Sequence, residues 1–292
     1  MRITGHRMIE LASASTSKSQ EALAARSAEV TSGLRVAKPS DDPTAWAAAE
    51  RAKLRKVVAE GTGAAVEASR GQLEETDVAL ASVGDFVSQV RALAVQGSSD
   101  SYNAQDRAEL GAQVQALFAS ALAAANTRSS NGEYLLAGSQ TGTPPFDAAG
   151  TYQGDTLVRS IPSAEGSTAF ATIPGSRLTS ANGVDVLPLM SQIATALSTN
   201  NMAALRTGLT DLQTAVGQVS MSRTVTGGAM SVLDATLAAR DQLTTHLATE
   251  ISRNVEVDSV AAASSLASAS QSLEASRAVT AHLVSLLDPR TA

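Results

Sequence analysis

The chain has 292 residues, a formal net charge of −6 and no cysteine. The acidic balance argues against a nucleic-acid partner, which calls for a basic face, and the missing cysteines exclude disulfides, thiolate metal sites and cysteine nucleophiles together. Aromatics are only 3% of residues and much of the 43% apolar content is alanine. At about 25 cal/mol per Å² of apolar surface such side chains stabilise little each, so thin helices packed closely suit this composition better than a compact globule.

The length implies about two domains. The opening MRITGHRMIELASAS lacks the apolar core of a signal peptide. No run approaches the roughly 18 apolar residues of a membrane span, so no membrane partner is expected. The expectation is a chain that stays inside the cell or leaves by a route without a cleaved signal. Residues 2–32 are helix-permissive, with Ile9, Thr16, Leu23 and Val30 at sevens.

A corner comes next, TSGLRVAKPSDDPTAW at 31–46. Gly33 suits the position just past a helix end, where the backbone turns left-handed. Pro39 keeps Lys38 out of helical conformation. Asp42 falls at the N-cap of the next helix and Pro43 at its first position, so the Asp42 carboxylate can accept from Thr44 or Ala45 N–H. Asp41 adds negative charge beside the positive helix end. The corner reads as a helix stop, a stiff linker and a strong helix start; it is either an ordinary well-capped loop between helices or a device that fixes the angle between a terminal helix and the main rod. Trp46, the only tryptophan, is expected as a core anchor, with a partner contact as the alternative, and Arg51, Lys53, Arg55 and Lys56 form a solvated helix face.

A long helix is predicted over 43–97, with a heptad of Leu73, Leu80, Val83, Val87, Val90 and Ala94. Asp106 opens another, with Leu110, Val114, Leu117, Ala121 and Ala124 on one stripe. At Asn131-Gly132 the pattern changes. Residues 133–185 are rich in Gly, Pro, Thr and Ser, with β-like runs at Glu133–Leu136 and Thr156–Arg159. They predict a small β-rich insert near the lower limit for folding on its own core. Helix returns over about 187–199, 202–225, 229–254 and 256–287. The last carries Leu266, Leu273, Thr280 and Leu287 at sevens, flanked by Ala262, Ala269, Ser276 and Leu283.

The fold predicted is mainly α: a long antiparallel coiled-coil rod formed by the N- and C-terminal halves, with a small β-rich inserted domain. Three domains are expected: 1–38 with 255–292 as a terminal helical domain, 39–132 with 186–254 as the rod, and 133–185 as the outer insert.

The motifs also carry a resemblance. SGLRVAKPSDDP at 32–43 resembles the N-terminal signature of the flagellin superfamily, in the form found in its hook–filament junction family rather than in filament flagellins. MRIT at the start, Asp106-Arg107, ANTRSSNGEYLLAGSQTGTPPF at 125–146, YQGD at 152–155 and SLEASRAVTAHLVSLLD at 272–288 are similar to the same family. Leu136 stands where that family often has Phe, and DPRTA replaces a shorter apolar tail.

The resemblance implies a structural, non-enzymatic protein of the bacterial flagellum, outside the cell and exported through the flagellar type III channel. It implies a ring of its own subunits between hook-associated protein 1 and flagellin, with an export chaperone on the C-terminal helix. The alternative is a divergent filament-forming flagellin. Assembly residues implied are Gly33, Arg35, Pro39, Ser40, Asp41, Asp42 and Pro43 in the corner, and Leu266, Leu273, Leu283 and Leu287 on the last helix. Residues 1–32 and 256–287 carry thin stripes, and ordering a backbone costs roughly 1–2 kcal/mol per residue. Both ends are therefore expected to be mobile in the monomer and to fold against neighbouring subunits.

Catalytic, cofactor and metal chemistry finds no support. His6, His246 and His282 are isolated. Asp41-Asp42 and Glu74-Glu75 are adjacent pairs rather than facing carboxylates. GSQTGTPPF lacks the Gly-Lys-Ser/Thr of a phosphate loop.

Overall fold

The structure is a computed structural model and describes residues 5–162 and 168–287. The opening MRIT and the closing DPRTA lie outside the described residues. Six α-helices run as α1 (Gly5–Ser32), α2 (Pro43–Gly97), α3 (Ala104–Ala125), α4 (Val186–Ser198), α5 (Met202–Val255) and α6 (Ser259–Leu287). Two short strands, β1 (Ser160–Pro162) and β2 (Thr168–Phe170), lie between α3 and α4. The chain divides into two compact units, residues 1–58 with 243–292 and residues 59–242, and α2 and α5 run through both.

In the unit of residues 59–242, α2 and α5 run antiparallel, as the ion pairs Arg70–Asp234 (2.5 Å) and Arg223–Asp77 (3.0 Å) show. The heptad predicted on α2 is its buried seam: Leu73, Leu80, Val83, Val87, Val90 and Ala94 are all closed off from solvent. By length and composition α2 could cross a membrane, and 33% of its most apolar stretch is buried; Leu80, Val83, Val87, Val90 and Ala94 share a core with Leu110, Val114, Met190, Ile193, Leu197, Leu205 and Leu212, and Leu73 packs with Val66 and Leu233. Helix α3 starts slightly earlier than expected. Asn103 is its N-cap and Asp106 closes a reciprocal capping box. Its buried stripe is Leu110, Val114, Phe118, Ala121 and Ala125, so Leu117 and Ala124 give way to the neighbouring positions and are half-buried.

Two sequence expectations give way to the structure. The helices expected at 202–225 and 229–254 are one continuous helix of 54 residues. Gly227 and Gly228 weaken a helix by about 1 kcal/mol each but remove no hydrogen bond, and buried Thr226, Ala229 and Leu233 carry the apolar stripe straight across them. Among its described residues the insert also shows no core separate from the long helices. Leu136, Phe146 and Leu178 belong to the same core as α2–α5, and Ala169 and Ile173 pack with Val66, Leu73 and Leu233. Its regular β-structure is one antiparallel ladder, Ser160↔Phe170 to Pro162↔Thr168. The runs expected as strands fall elsewhere: Leu135 and Leu136 lie in a turn, and Thr156–Arg159 has no regular secondary structure. Single bridges join Arg128 to Tyr134 and Phe146 to Tyr152.

In the other unit α1 and α6 lie antiparallel, joined by hydroxyl pairs Thr16–Thr280 (3.0 Å) and Ser19–Ser276 (3.1 Å). The two ends, expected to order only beside neighbouring subunits, stand here as paired helices within one chain. Val30, placed on the α1 stripe by its spacing, is 41% exposed. His246 and His282 are exposed, and the His6 side chain lies outside the described residues.

Tyr152 anchors the insert. Its hydroxyl donates to the carbonyls of Asp155 (2.7 Å) and Leu136 (3.1 Å), and its ring centroid is 5.3 Å from that of Phe146. Burial, aided by the Asp155 charge, pushes its pKa up to about 12.

This packing can be tested in two ways. A Cβ added at Gly228 meets nothing, whereas one added at Gly111 would lie 2.5 Å from Ser198 Oγ and 2.9 Å from the Ala194 carbonyl. Gly228→Ala should therefore stabilise the protein by about 0.5–1 kcal/mol and Gly111→Ala should destabilise it, read as urea midpoints. The raised phenol pKa stabilises the fold fully below the unfolded value of about 10 and ceases to do so as pH rises through about 12. In an alkaline ultraviolet titration, Tyr152→Phe should remove the ionisation step seen near pH 12.

Candidate functional site

The corner between α1 and α2 is where local sequence signals and long-range contacts meet. Helix α1 stops at Gly33, whose φ of +71° is left-handed and whose N–H donates to the Glu29 carbonyl at 2.9 Å. Pro43 then opens α2 with Asp42 ahead of it. The Asp42 carboxylate accepts from Ala45 N–H (3.1 Å) and the Thr44 hydroxyl (2.8 Å), as the N-cap reading requires. These bonds, with Arg35 nearby, hold its pKa below the usual carboxylate value. Asp41 does something other than face the helix terminus. It folds back, and Oδ2 accepts from the N–H groups of Ala37 and Lys38, both at 3.0 Å, bracing the linker from within. Pro39 and Ser40 form the exposed tip of that turn.

The second half of the site comes from the far end of the sequence. Arg35 and Val36 N–H both donate to the Val255 carbonyl (2.8 and 3.2 Å), and Val257 N–H donates to Gly33 O at 3.0 Å. Residues 33–36 thus run as a short antiparallel strap along 255–257, with a bridge between Leu34 and Glu256. The Arg35 guanidinium ties the arrangement together, donating to the Asn254 carbonyl at 2.7 Å and reaching the Asp42 carboxylate at 3.5 Å. Beneath it Val36, Ala45, Ala49 and Val255 form a closed cluster with Leu34, Trp46 and Ile251 against it. Trp46 is half-buried at the edge of this cluster, and Lys53 Nζ lies 5.5 Å from its ring centroid. Asp258 caps α6, accepting from Val260 and Ala261 N–H.

The structure thus brings together Gly33, Arg35, Asp41, Asp42 and Pro43, and leaves Pro39 and Ser40 facing solvent. The leucines of α6 sit apart from this corner, along the seam with α1. Leu273 is buried, Leu266 and Leu283 are half-buried, and the Leu287 side chain lies outside the described residues. Among the described residues, no group of three or more His, Asp or Glu side chains could hold a metal ion.

Sequence reasoning picked out Arg107 only as part of the Asp106-Arg107 motif and gave its side chain no role; it is 7% exposed. It donates to the carbonyls of Gly97 (2.7 Å) and Ser99 (2.9 Å) and to Asn200 Oδ1 (2.7 Å). It therefore satisfies the C-terminal end of α2 and ties that loop to the α4–α5 turn, where Asn200 takes a φ of +54°. An arginine directly after a capping aspartate was the only signal, and it does not say where the side chain goes.

Residues 6–141 match the bacterial flagellin N-terminal helical region. The N-terminal part of this chain is thus similar to flagellins over 136 residues. It is 31% identical over 131 residues to flagellar hook-associated protein 3 of Escherichia coli, covering 43% of this chain and 40% of that protein. It is 29% identical over 159 residues to the Salmonella typhimurium protein of the same name, covering 53% of this chain and 49% of the other. The matches span less than half of either relative. The fold is shared with a flagellar hook-associated protein of Vibrio parahaemolyticus, at a TM-score of 0.67 and 18% identity over 74% of this chain and all of the other. It is also shared with hook-associated protein 3 of Legionella pneumophila, at a TM-score of 0.62 and 14% identity over 70% of this chain and 98% of the other. In this chain the strap joins the N-terminal corner, which lies within the flagellin-like region, to the start of the C-terminal helix.

The cap gives a pH test. A depressed carboxylate pKa contributes stability that is present above the unfolded value of about 3.9 and lost as pH falls through the folded one. Asp42→Ala should lower the urea midpoint near neutral pH, and the gap to the parent should close as pH falls below about 4.

Proposed function

We propose that this chain is a structural adaptor of the bacterial flagellum, forming the ring that joins the hook, through hook-associated protein 1, to the flagellin filament. The names of its curated relatives support this reading. The observation that carries it is the state of the α1–α6 pair. Helix α1 has no buried residue among those described, and on α6 only Ala262 and Leu273 are buried. Met8, Leu11, Val260, Val279 and Val284 are 42%, 63%, 78%, 57% and 47% exposed. A two-helix pair with so little buried apolar area gains little against an ordering cost of roughly 1–2 kcal/mol per residue. Its outward apolar side chains fit packing against neighbouring subunits around an axial channel. The strap at 33–36 and 255–257 would hold both helices together at one end while their free lengths repack.

In this reading the chain leaves through the flagellar type III export channel, and a chaperone covers α6 before export. The corner residues set the direction from which α1 meets its neighbours. The role is architectural rather than catalytic.

Two measurements test it. A strain lacking the chain should make complete hooks and shed flagellin monomers into the medium; long filaments grown by the purified chain alone would favour a filament flagellin instead. In the monomer, amides of α1 and α6 should exchange much faster than those of Leu80–Ala94 in α2. Equal protection would remove the premise that the pair is marginal.

A further inference from the structure

The sequence contains Asn-Gly twice, at Asn131-Gly132 and Asn182-Gly183. Both asparagines and both glycines are exposed, so sequence and exposure alone treat them as equal. In such a pair the glycine nitrogen can attack the asparagine side-chain carbonyl, because no Cβ obstructs the approach and the backbone can adopt the required conformation. We propose that Asn131 is a self-modifying site that deamidates in the folded protein, and that Asn182 is protected by its surroundings.

The two sites differ in what surrounds them. Asn131 Oδ1 accepts from Glu133 N–H at 3.0 Å. That donor polarises the carbonyl under attack and sits where an oxyanion develops, as a preorganised donor does in an oxyanion hole. Asn131 Nδ2 donates to Glu133 Oε2 at 3.3 Å, which holds the departing amide nitrogen in place. Gly132 has a φ of +86°, and a Cβ built on it meets nothing within 4 Å. Its N–H donates to Ser129 O at 2.8 Å. That bond must open before attack; the turn it closes is also held by Ser129 N–H donating to Glu133 O at 2.7 Å, but no side chain from another part of the chain is packed against Gly132.

Gly183 N–H also donates within its turn, to Ser180 O at 3.3 Å. There the likeness ends. A Cβ on Gly183 would lie 2.6 Å from Gln218 Oε1. Gln218 is itself buried and is fixed by accepting from Val184 N–H (2.9 Å) and donating to the carbonyls of Arg177 (2.8 Å) and Thr179 (2.9 Å). Asn182 Nδ2 donates to Ser176 O at 3.0 Å, away from its own glycine. The rotation that would bring Gly183 nitrogen onto the Asn182 carbonyl has to break this clamp.

The reaction balances without an oxidant or a second reagent. The Gly132 nitrogen gives up its proton and bonds to the Asn131 side-chain carbon. The carbon–nitrogen bond of the amide breaks, and ammonia leaves carrying that proton. Water then opens the five-membered imide at either carbonyl, giving aspartate or isoaspartate. Either product replaces a donor to Glu133 with a carboxylate facing it. Glu133 is also the partner of Arg159 at 3.5 Å. The charge change thus falls on the turn by which the chain enters the insert.

The test incubates the full chain in mildly alkaline buffer, folded or in concentrated urea, and maps tryptic peptides by mass. The peptide holding Asn131 should gain one mass unit at least about tenfold faster than the one holding Asn182 in the folded arm, the scale that orientation of reacting groups supplies. In urea the two should react at similar rates. Equal rates in the folded arm, or a faster Asn182, would overturn the proposal. A preference of the same size in urea would also overturn it, by assigning the difference to neighbouring residues rather than to the fold. Asn131→Gln should abolish the mass gain in the first peptide and leave the second unchanged.

Discussion

The structure depends on one constraint: helices built largely from alanine and serine cannot bury enough apolar surface singly, so each must be covered by a distant part of the chain. Where the covering is complete, the protein has a core. The stripe from Leu73 to Ala94 on α2 is closed by α3, α4, α5 and by side chains of the insert. Where it is incomplete, as along α1 and α6, the same composition leaves helices with hydroxyls in the seam and valines in solvent. One chain thus holds a settled unit and one with apolar surface still uncovered. That contrast is the physical basis for reading the second as an assembly surface.

Polar groups carry more of the architecture than the low aromatic content would suggest. Backbone groups that end helices need partners, and three side chains supply them from a distance. Arg35 satisfies the last turn of α5, Arg107 the last turn of α2, and Gln218 the turns that lead out of the insert. Each replaces water at a carbonyl that would otherwise lose its hydrogen bond, and each fixes two connections with one side chain. The strap of residues 33–36 on 255–257 does the same with backbone alone. Its placement explains why the PSDDP corner is stiff: a strap that joins both termini transmits their relative position only if neither side of the loop can relax.

The proposed role gives these devices a setting. In that role the chain would arrive as a separate subunit and end as part of a continuous wall. A pair of helices with thin mutual contact, fastened at one end, is suited to that change, because little has to be broken before new neighbours cover the exposed valines. The insert is bound to the long helices of residues 59–242 through Tyr152, Phe146 and Leu178, so it shares the rigidity of that core.

What the sequence determined by itself was everything enforced within a few residues. Gly33 as a helix stop, Asp42 as a cap, Pro43 as a first helical position and the α2 heptad were all legible, since their physics is local or strictly periodic. Tertiary structure decided the rest. It carried α5 through Gly227-Gly228, because a continuous buried stripe outweighs two glycines. Among the described residues it gave the insert no core separate from the long helices, because Leu136, Phe146 and Leu178 find better cover against long helices than against each other. It turned Asp41 inward, sent Arg35 to Asn254, and gave two identical Asn-Gly pairs different surroundings. Those outcomes rest on contacts between residues far apart in the chain, and spacing along a sequence holds no record of which distant carbonyl a side chain will reach.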